Sequence, residues 1–210
     1  DSQNYFRTNI KMIVYRKSIV SDYDQIATIH LKSFPNFFLT TLGYSFLKTF
    51  YKTCIKSNEI ISICAIDDLT NKLVGFSIGC LNSKGFYKRL IYLNARAYLF
   101  QTIILFFTNP KALIRLYKNL VKSDHVKDNG NYAELLSICV LPEKNRLGIG
   151  QNLLAKFESN VNEKGINKIT LTTDADDNDN VLGFYKKSGY EIFYDFIAYP
   201  NRKMMKLIKK

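Results

Sequence analysis

The stretch Leu135-Leu136-Ser137-Ile138-Cys139-Val140-Leu141-Pro142-Glu143-Lys144-Asn145-Arg146-Leu147-Gly148-Ile149-Gly150-Gln151-Asn152-Leu153-Leu154 decides the fold. Its first six residues are an apolar run that predicts a strand, and its last residues open an amphipathic segment that predicts a helix. Two glycines one residue apart at a strand-to-helix turn leave backbone N–H groups uncovered by side chains. Those donors, with the positive end of the helix dipole, make a site for a phosphate or pyrophosphate.

Two phosphate-loop motifs fail on the residues themselves. A P-loop needs Gly-Lys-Ser/Thr at its end, whereas Gly150 is followed by Gln151-Asn152. A dinucleotide fingerprint needs a third glycine where the chain has Leu153. The segment Asn145-Arg146-Leu147-Gly148-Ile149-Gly150 instead resembles the acyl-CoA loop of the GNAT acetyltransferases, Gln/Arg-x-x-Gly-x-Gly/Ala, with Asn145 where Gln or Arg is usual. Downstream, the β-branched run Lys168-Ile169-Thr170-Leu171-Thr172-Thr173-Asp174 predicts a buried strand. Asn178-Asp179-Asn180-Val181-Leu182-Gly183-Phe184-Tyr185-Lys186-Lys187-Ser188-Gly189-Tyr190 then resembles the second signature of that family, Asn-x-x-Ala/Val-x-x-Phe-Tyr-x-x-x-Gly-Phe/Tyr. Asn178, Val181, Phe184, Tyr185, Gly189 and Tyr190 occupy the matching positions. Two signatures in this order, about thirty residues apart, are much more specific than either alone. The resemblance covers roughly residues 12–82 and 131–208 and is strongest from Glu134 to Tyr190.

A length of 210 residues suits one domain with a sizeable core, or one domain carrying an insertion. Hydrophobic content of 47% with 23% charged residues is that of a globular protein. The chain has no apolar run of about eighteen residues, so no membrane-spanning helix is expected. Residues 1–11 are polar, unlike a signal peptide, and read as a leader or expression remnant ahead of a native start at Met12. Cys54, Cys64, Cys80 and Cys139 sit singly in apolar runs, which predicts buried free thiols and a cytoplasmic location. His30 and His125 are too few and scattered for a metal site, so no metal is expected. The net charge of +12 favours an anionic partner, and CoA is itself a polyanion. No nucleic-acid-binding module is visible, and nucleic acid is not expected as a partner.

Ser21-Asp22 would cap a helix running through Leu31, broken at Phe34-Pro35. Leu39 to Ile55 predicts a second helix, and Ile60–Ile66 with Leu73–Leu81 predict a hairpin. Residues 83–127 stand outside this plan. They hold nine Lys/Arg against one acid, Asp124, and the apolar run Ala97 to Phe107. Asn109-Pro110 divides them into two predicted helices, neither long enough to cross a bilayer. Three readings stand open: a helical pair packed on the sheet as a lid or homodimer contact, a basic pair lying on an anionic membrane face, or recruitment of an anionic acceptor by Arg89, Arg96 or Arg115.

The resemblance implies direct transfer from acetyl-CoA to an amine. It assigns the pyrophosphate to the loop Asn145, Arg146, Leu147, Gly148, Ile149, Gly150 and Gln151, through backbone N–H groups and an added charge from Arg146. It assigns the pantetheine arm to the main chain of Ile138, Cys139 and Val140, with a donor near Ile138 for the thioester oxygen. Tyr185 falls at the position of the general acid, and a phenol is protonated at neutral pH as that role requires. Asn178 would contact CoA or cap the following helix. Glu134 would be the general base, against the alternative of a solvated carboxylate at a strand start. The acidic cluster Asp174, Asp176, Asp177 and Asp179 lacks the glycine and final glutamate of a calcium loop and reads as a solvated turn.

The expectation is therefore an α/β GNAT fold with a mixed sheet, residues 12–208 forming one domain with a helical insertion at 83–127. It would transfer acetyl from acetyl-CoA to a primary amine of a small molecule. Ser33 to Gly43 resembles the matching segment of bacterial family members tied to surface-polysaccharide amino sugars, which makes an amino sugar the expected acceptor. Acetylation of a peptide or protein amine, or a non-catalytic acyl-CoA-binding module, are the alternatives.

Overall fold

The structure is a computed structural model that describes residues 13–35, 37–121 and 129–210. Met12, the leader, His125 and the last residues of the predicted insertion lie outside them. Strand β1 (Ile13–Lys17) leads through a single 3₁₀ turn into α1 (Tyr23–Ser33), α2 (Phe38–Thr41) and α3 (Gly43–Lys56). The hairpin β2 (Ile60–Asp67) and β3 (Lys72–Cys80) follows, turning through Asn71 at φ 52°. Helices α4 (Phe86–Leu93), α5 (Ala95–Thr108) and α6 (Pro110–Val121) come next, then β4 (Ala133–Val140) and α7 (Ile149–Asn162). The chain ends with β5 (Ile169–Asp174), α8 (Asp179–Lys187), β6 (Glu191–Ala198) and β7 (Arg202–Lys209). This is the mixed α/β fold expected, a seven-stranded sheet ordered β1-β2-β3-β4-β5-β7-β6 in which only β4 and β5 run parallel.

The central strands β2 and β3 are buried on both faces. On one, Ile26 of α1 and Leu47 and Tyr51 of α3 pack with Phe76 and Ile78 of β3. On the other, Leu153, Phe157 and Val161, one stripe of α7, pack on Ile61, Ile63, Leu135 and Leu171. Gly79 sets how closely α7 approaches. A Cβ there would stand 2.4 Å from Phe157 Cζ and 2.5 Å from the Glu134 carbonyl, so only glycine lets that ring lie flat on β3.

Three boundaries differ from expectation, each for a local reason. Asp22 does sit at the start of α1, but its carboxylate is turned away from the helix. It takes Arg16 Nη1 and Nη2 at 2.7 and 2.9 Å and the Ile19 N–H at 2.8 Å, so it ties β1 to the turn rather than capping α1. The predicted helix over Leu39–Ile55 is interrupted at Leu42, because Gly43 takes φ +85° and restarts the chain in a new direction. The inserted segment holds three helices among the described residues, not two. Asn94, at φ −123°, turns its side-chain amide back onto the Leu90 carbonyl (2.9 Å), and the chain bends by 95° between α4 and α5.

Candidate active site

Strands β4 and β5 pair only over Ala133–Leu135 and Ile169–Leu171. Beyond that point they diverge, and the cause is visible in β4. Its register against β3 slips at Leu136: Gly79 faces Leu135 while Ile78 faces Ser137. One extra residue bends and twists the strand away from its parallel neighbour. Past the bulge, Leu141 donates its N–H to the Val74 carbonyl (2.8 Å). By the alternation of an antiparallel ladder, Ser137 and Cys139 also bond β3, while the N–H and C=O groups of Ile138 and Val140 face the gap. Of the three residues predicted to offer main chain there, Cys139 is thus committed to β3. Ser33, at the end of α1, reaches the gap too and donates to the Val140 carbonyl at 3.2 Å.

The glycine turn lies at the mouth of that gap. Pro142–Lys144 makes one 3₁₀ turn, with Lys144 N–H on the Leu141 carbonyl and Asn145 N–H on the Pro142 carbonyl. Lys144 Nζ reaches across to Asp67 Oδ2 at 2.7 Å, which pins the turn to the end of β2. Arg146 (φ 63°) and Gly148 (φ 72°) then take the left-handed conformation, and Gly148 stands at the N-terminus of α7. Among the described residues, no backbone carbonyl accepts from the N–H groups of Arg146, Leu147, Gly148, Ile149, Gly150 or Gln151. The space beside both glycines is open: a Cβ on Gly148 would meet nothing within 4 Å, and one on Gly150 only Val140 Cγ2 at 3.9 Å. Consecutive free donors at a helix N-terminus, beside glycines, fit a pyrophosphate. Among the described residues, the exposed Asn145 makes no hydrogen bond in this arrangement beyond that of its own N–H.

Tyr185, on α8, is buried between Phe184 and Tyr190, with ring centroids 5.1 and 5.7 Å away. Burial pushes its hydroxyl pKa above the ordinary tyrosine value, and the nearby Cys139 thiol pushes the same way, so the hydroxyl beside the diverging strand stays protonated. Asn178 starts α8 but makes no side-chain cap. Its Nδ2 donates to Thr173 Oγ1 (2.8 Å) and the Asp174 carbonyl (2.9 Å), which holds the start of α8 against the end of β5.

Glu134 is not a solvated carboxylate. Its side chain is 16% exposed, and three groups grip it on the face of the sheet shared with α3. Ser83 Oγ donates to Oε2, Thr172 Oγ1 donates to Oε1 at 3.4 Å, and Lys206 Nζ lies 3.6 Å from Oε1. None of these three partners carries a sequence signal: Ser83 stands 51 positions away and Thr172 38. His30 is buried in the core, Nδ1 paired with Tyr51 Oη at 2.7 Å, and burial lowers its pKa to about 4.

On the side of the gap opposite α7, α6 reaches from the start of α2 to the turn between β6 and β7. Arg115 lies over the Phe38 ring (4.8 Å) and Lys118 over the Tyr199 ring (4.3 Å). Arg202, at the start of β7, stacks on Phe37 (4.8 Å) and grips Asp174 through Nε and Nη2. Asp174 is therefore paired rather than part of a solvated turn, and among the described residues no acidic or sulfur cluster is placed to hold a metal. Arg89 is engaged as well, holding Glu59 through Nε and Nη2, which removes it from the set of groups able to recruit an acceptor.

The sequence model of the acetyltransferase (GNAT) family matches residues 23–190. No curated protein sequence matches this one. Among solved structures, NAA60 of Arabidopsis thaliana in complex with acetyl-CoA superimposes with a TM-score of 0.60 at 14% identity, covering 94% of this chain and 97% of that one. The ribosomal-protein-S18-alanine N-acetyltransferase of Escherichia coli gives 0.59 at 14%, covering 94% and 93%. The PaiA N-acetyltransferase of Thermoplasma acidophilum in complex with coenzyme A gives 0.51 at 16%, covering 93% and 98%. The glycine turn, the divergent parallel strands and the matched span agree: the chain belongs to the GNAT family of acetyltransferases.

Proposed function

We propose that this acetyltransferase moves the acetyl group of acetyl-CoA directly to a primary amine of a small molecule, with residues 12–208 acting as one domain in the cytoplasm. The observation that supports the choice of acceptor is the pair of contacts by which α6 reaches Phe38 of α2 and Tyr199 of the β6–β7 turn, which in this reading narrows the acceptor side against a peptide. Among small amines, an amino sugar is the acceptor favoured by the resemblance of the Ser33 to Gly43 segment. Acetyl-CoA supplies an acetyl group already activated as a thioester.

In this reading the N–H groups from Arg146 to Gln151 hold the pyrophosphate, and the gap-facing main chain of Ile138 and Val140 takes the pantetheine arm as an added strand. The Ile138 N–H is directed at the thioester oxygen, where charge develops as the amine attacks. Glu134, oriented by Ser83 and Thr172, receives the amine proton through water, and Lys206 stabilises the carboxylate before that transfer. The Tyr185 hydroxyl gives its proton to the departing sulfur.

A screen of amines with free-thiol detection tests the proposal. Turnover with small amines, and none with peptide N-termini, is the expected result. Turnover confined to peptides overturns the acceptor class and favours the protein-amine alternative. Unchanged turnover in Tyr185→Phe and Glu134→Gln would remove both from the chemistry.

A further inference from the structure

Helix α5 presents apolar side chains to both sides. Its inner stripe is buried: Tyr98 Oη bonds Thr53 Oγ1 at 2.8 Å, Gln101 Nε2 donates to Ser45 and Thr49, and Leu105 joins the core. Its outer stripe is Leu99, Phe100, Ile103, Phe106 and Phe107, at the spacing of one helix face. These side chains are 50% to 78% exposed, Phe107 the most. A helix apolar all round ordinarily lies inside a protein or against lipid, and an exposed patch of this kind marks a docking surface.

The charge around the patch selects what docks. From Ser83 to Val121 the chain has seven Lys/Arg and no Asp/Glu. Lys88, Arg96, Lys111 and Lys118 among them are exposed, so α5 is flanked by cations at both ends. A second copy of a chain with net charge +12 would bring like charges together across such a face. A surface of anionic headgroups over an apolar interior matches both features. We propose that the outer face of α5 docks on an anionic membrane, lying in its interface. Interfacial docking rather than spanning fits the length: α5 alone has 14 residues, about 21 Å of helix against a hydrocarbon core of about 30 Å. Among the described residues no single helix is long and apolar enough to cross, and α4 with α5 reaches that length only with a 95° bend between them.

The test is co-sedimentation of the full chain with vesicles of mixed phosphatidylglycerol and phosphatidylcholine, and of phosphatidylcholine alone. Binding is expected to the first, to weaken with salt, and to be at least about tenfold weaker to the second. Arg96→Gln and Lys111→Gln should each lower the apparent affinity about fivefold. The double variant Phe100→Ser/Phe107→Ser should abolish binding while melting temperature and turnover of a soluble amine stay unchanged, since these side chains touch neither the glycine turn nor Glu134 or Tyr185. Turnover is a folding control here; should no amine be turned over, binding of CoA and the melting temperature replace it, which keeps this inference separate from the choice of acceptor. Equal binding to both vesicles, binding that survives the double variant, or no binding at all overturns the proposal. A dimer that dissociates in the double variant, without vesicle binding, would assign the face to a second copy instead.

Discussion

Replacing Gly148 by Val separates the two things a loop glycine can do. Gly148 sits at φ +72°, a conformation that costs a side-chain-bearing residue about 1–2 kcal/mol. No atom lies within 4 Å of its would-be Cβ, so no packing clash adds to that cost. For a chain of this size the loss corresponds to a fall in melting temperature of roughly 2–8 °C, leaving a folded protein at room temperature. The effect on CoA should be much larger. The valine side chain enters the space that the N–H groups of Arg146 to Gln151 face, and losing two hydrogen bonds to a charged pyrophosphate costs about 3 kcal/mol. That is roughly a hundredfold in Kd. Gly150→Ala is the control. Its Cβ would stand 3.9 Å from Val140 Cγ2, an ordinary contact, at the first turn of α7, so the protein should gain up to about 1 kcal/mol and keep its CoA affinity. Isothermal calorimetry with CoA, beside thermal melts, reads both quantities. If Gly148→Val binds CoA as the parent does while folded, the turn is no pyrophosphate cradle, and its glycines serve the backbone alone.

Gly79→Ala should be among the most damaging single-methyl additions, because the new carbon meets Phe157 at 2.4 Å and the Glu134 carbonyl at 2.5 Å; a loss of about 3 kcal/mol lowers the melting temperature by roughly 6–12 °C. Tyr185→Phe should lower kcat by about 10²–10⁴ with CoA affinity intact, measured by steady-state kinetics and calorimetry. Because burial raises the Tyr185 pKa, and an acid works only while protonated, kcat in the parent should not decline through this group between pH 7 and about 10; a decline in the parent that Tyr185→Phe removes would contradict the assignment. His30 gives the opposite sign. Its folded pKa of about 4 lies below the unfolded value near 6.5, so between these pH values the unfolded chain binds the extra proton. Stability conferred by neutral His30 is complete above about pH 6.5 and drains as pH falls toward 4, by about 3 kcal/mol. Denaturant titrations across that range should show a slope that His30→Asn flattens.

The sequence disclosed what local chemistry dictates. The β-branched runs of β2 to β5, the glycine turn, and the Asn178 to Tyr190 signature stand where their residues predict, because each answers to neighbours a few positions away. What stayed hidden depends on partners far along the chain. Glu134 carried no local sign of its grip by Ser83, Thr172 and Lys206, and a strand-start glutamate by itself is indistinguishable from a solvated one. Asp174 looked like part of an acidic turn until Arg202, 28 positions on, neutralised it. Within the insertion, the stop at Asn94, just ahead of the apolar run from Ala97, carries no glycine or proline to announce it, and it depends on the asparagine amide turning back onto the Leu90 carbonyl.

Leu136 shows how one such hidden feature organises the site. Without the extra residue, strict alternation from Ala133, whose N–H bonds the Lys168 carbonyl beside β5, would turn the Ile138 N–H toward β3. The same alternation would put Cys139 on the α7 face and Ile138 and Val140 on the other. The structure has the reverse: Cys139 packs with the α3 face, and Ile138 and Val140 with the α7 face. The bulge therefore makes three changes together. It bends β4 away from β5, it turns the main chain of Ile138 and Val140 into the opening, and it brings the Val140 side chain beside Gly75 and Gly150 beneath the glycine turn. The mostly apolar run from Leu135 to Val140 reads as an unbroken strand, since a strand buried on both faces shows no alternation for a bulge to interrupt. Deleting Leu136 would leave every side chain of the site in the chain and still restore the wrong phase. Such a variant should keep the glycine turn and the Tyr185 side chain yet lose the strand edge proposed to take the acyl arm.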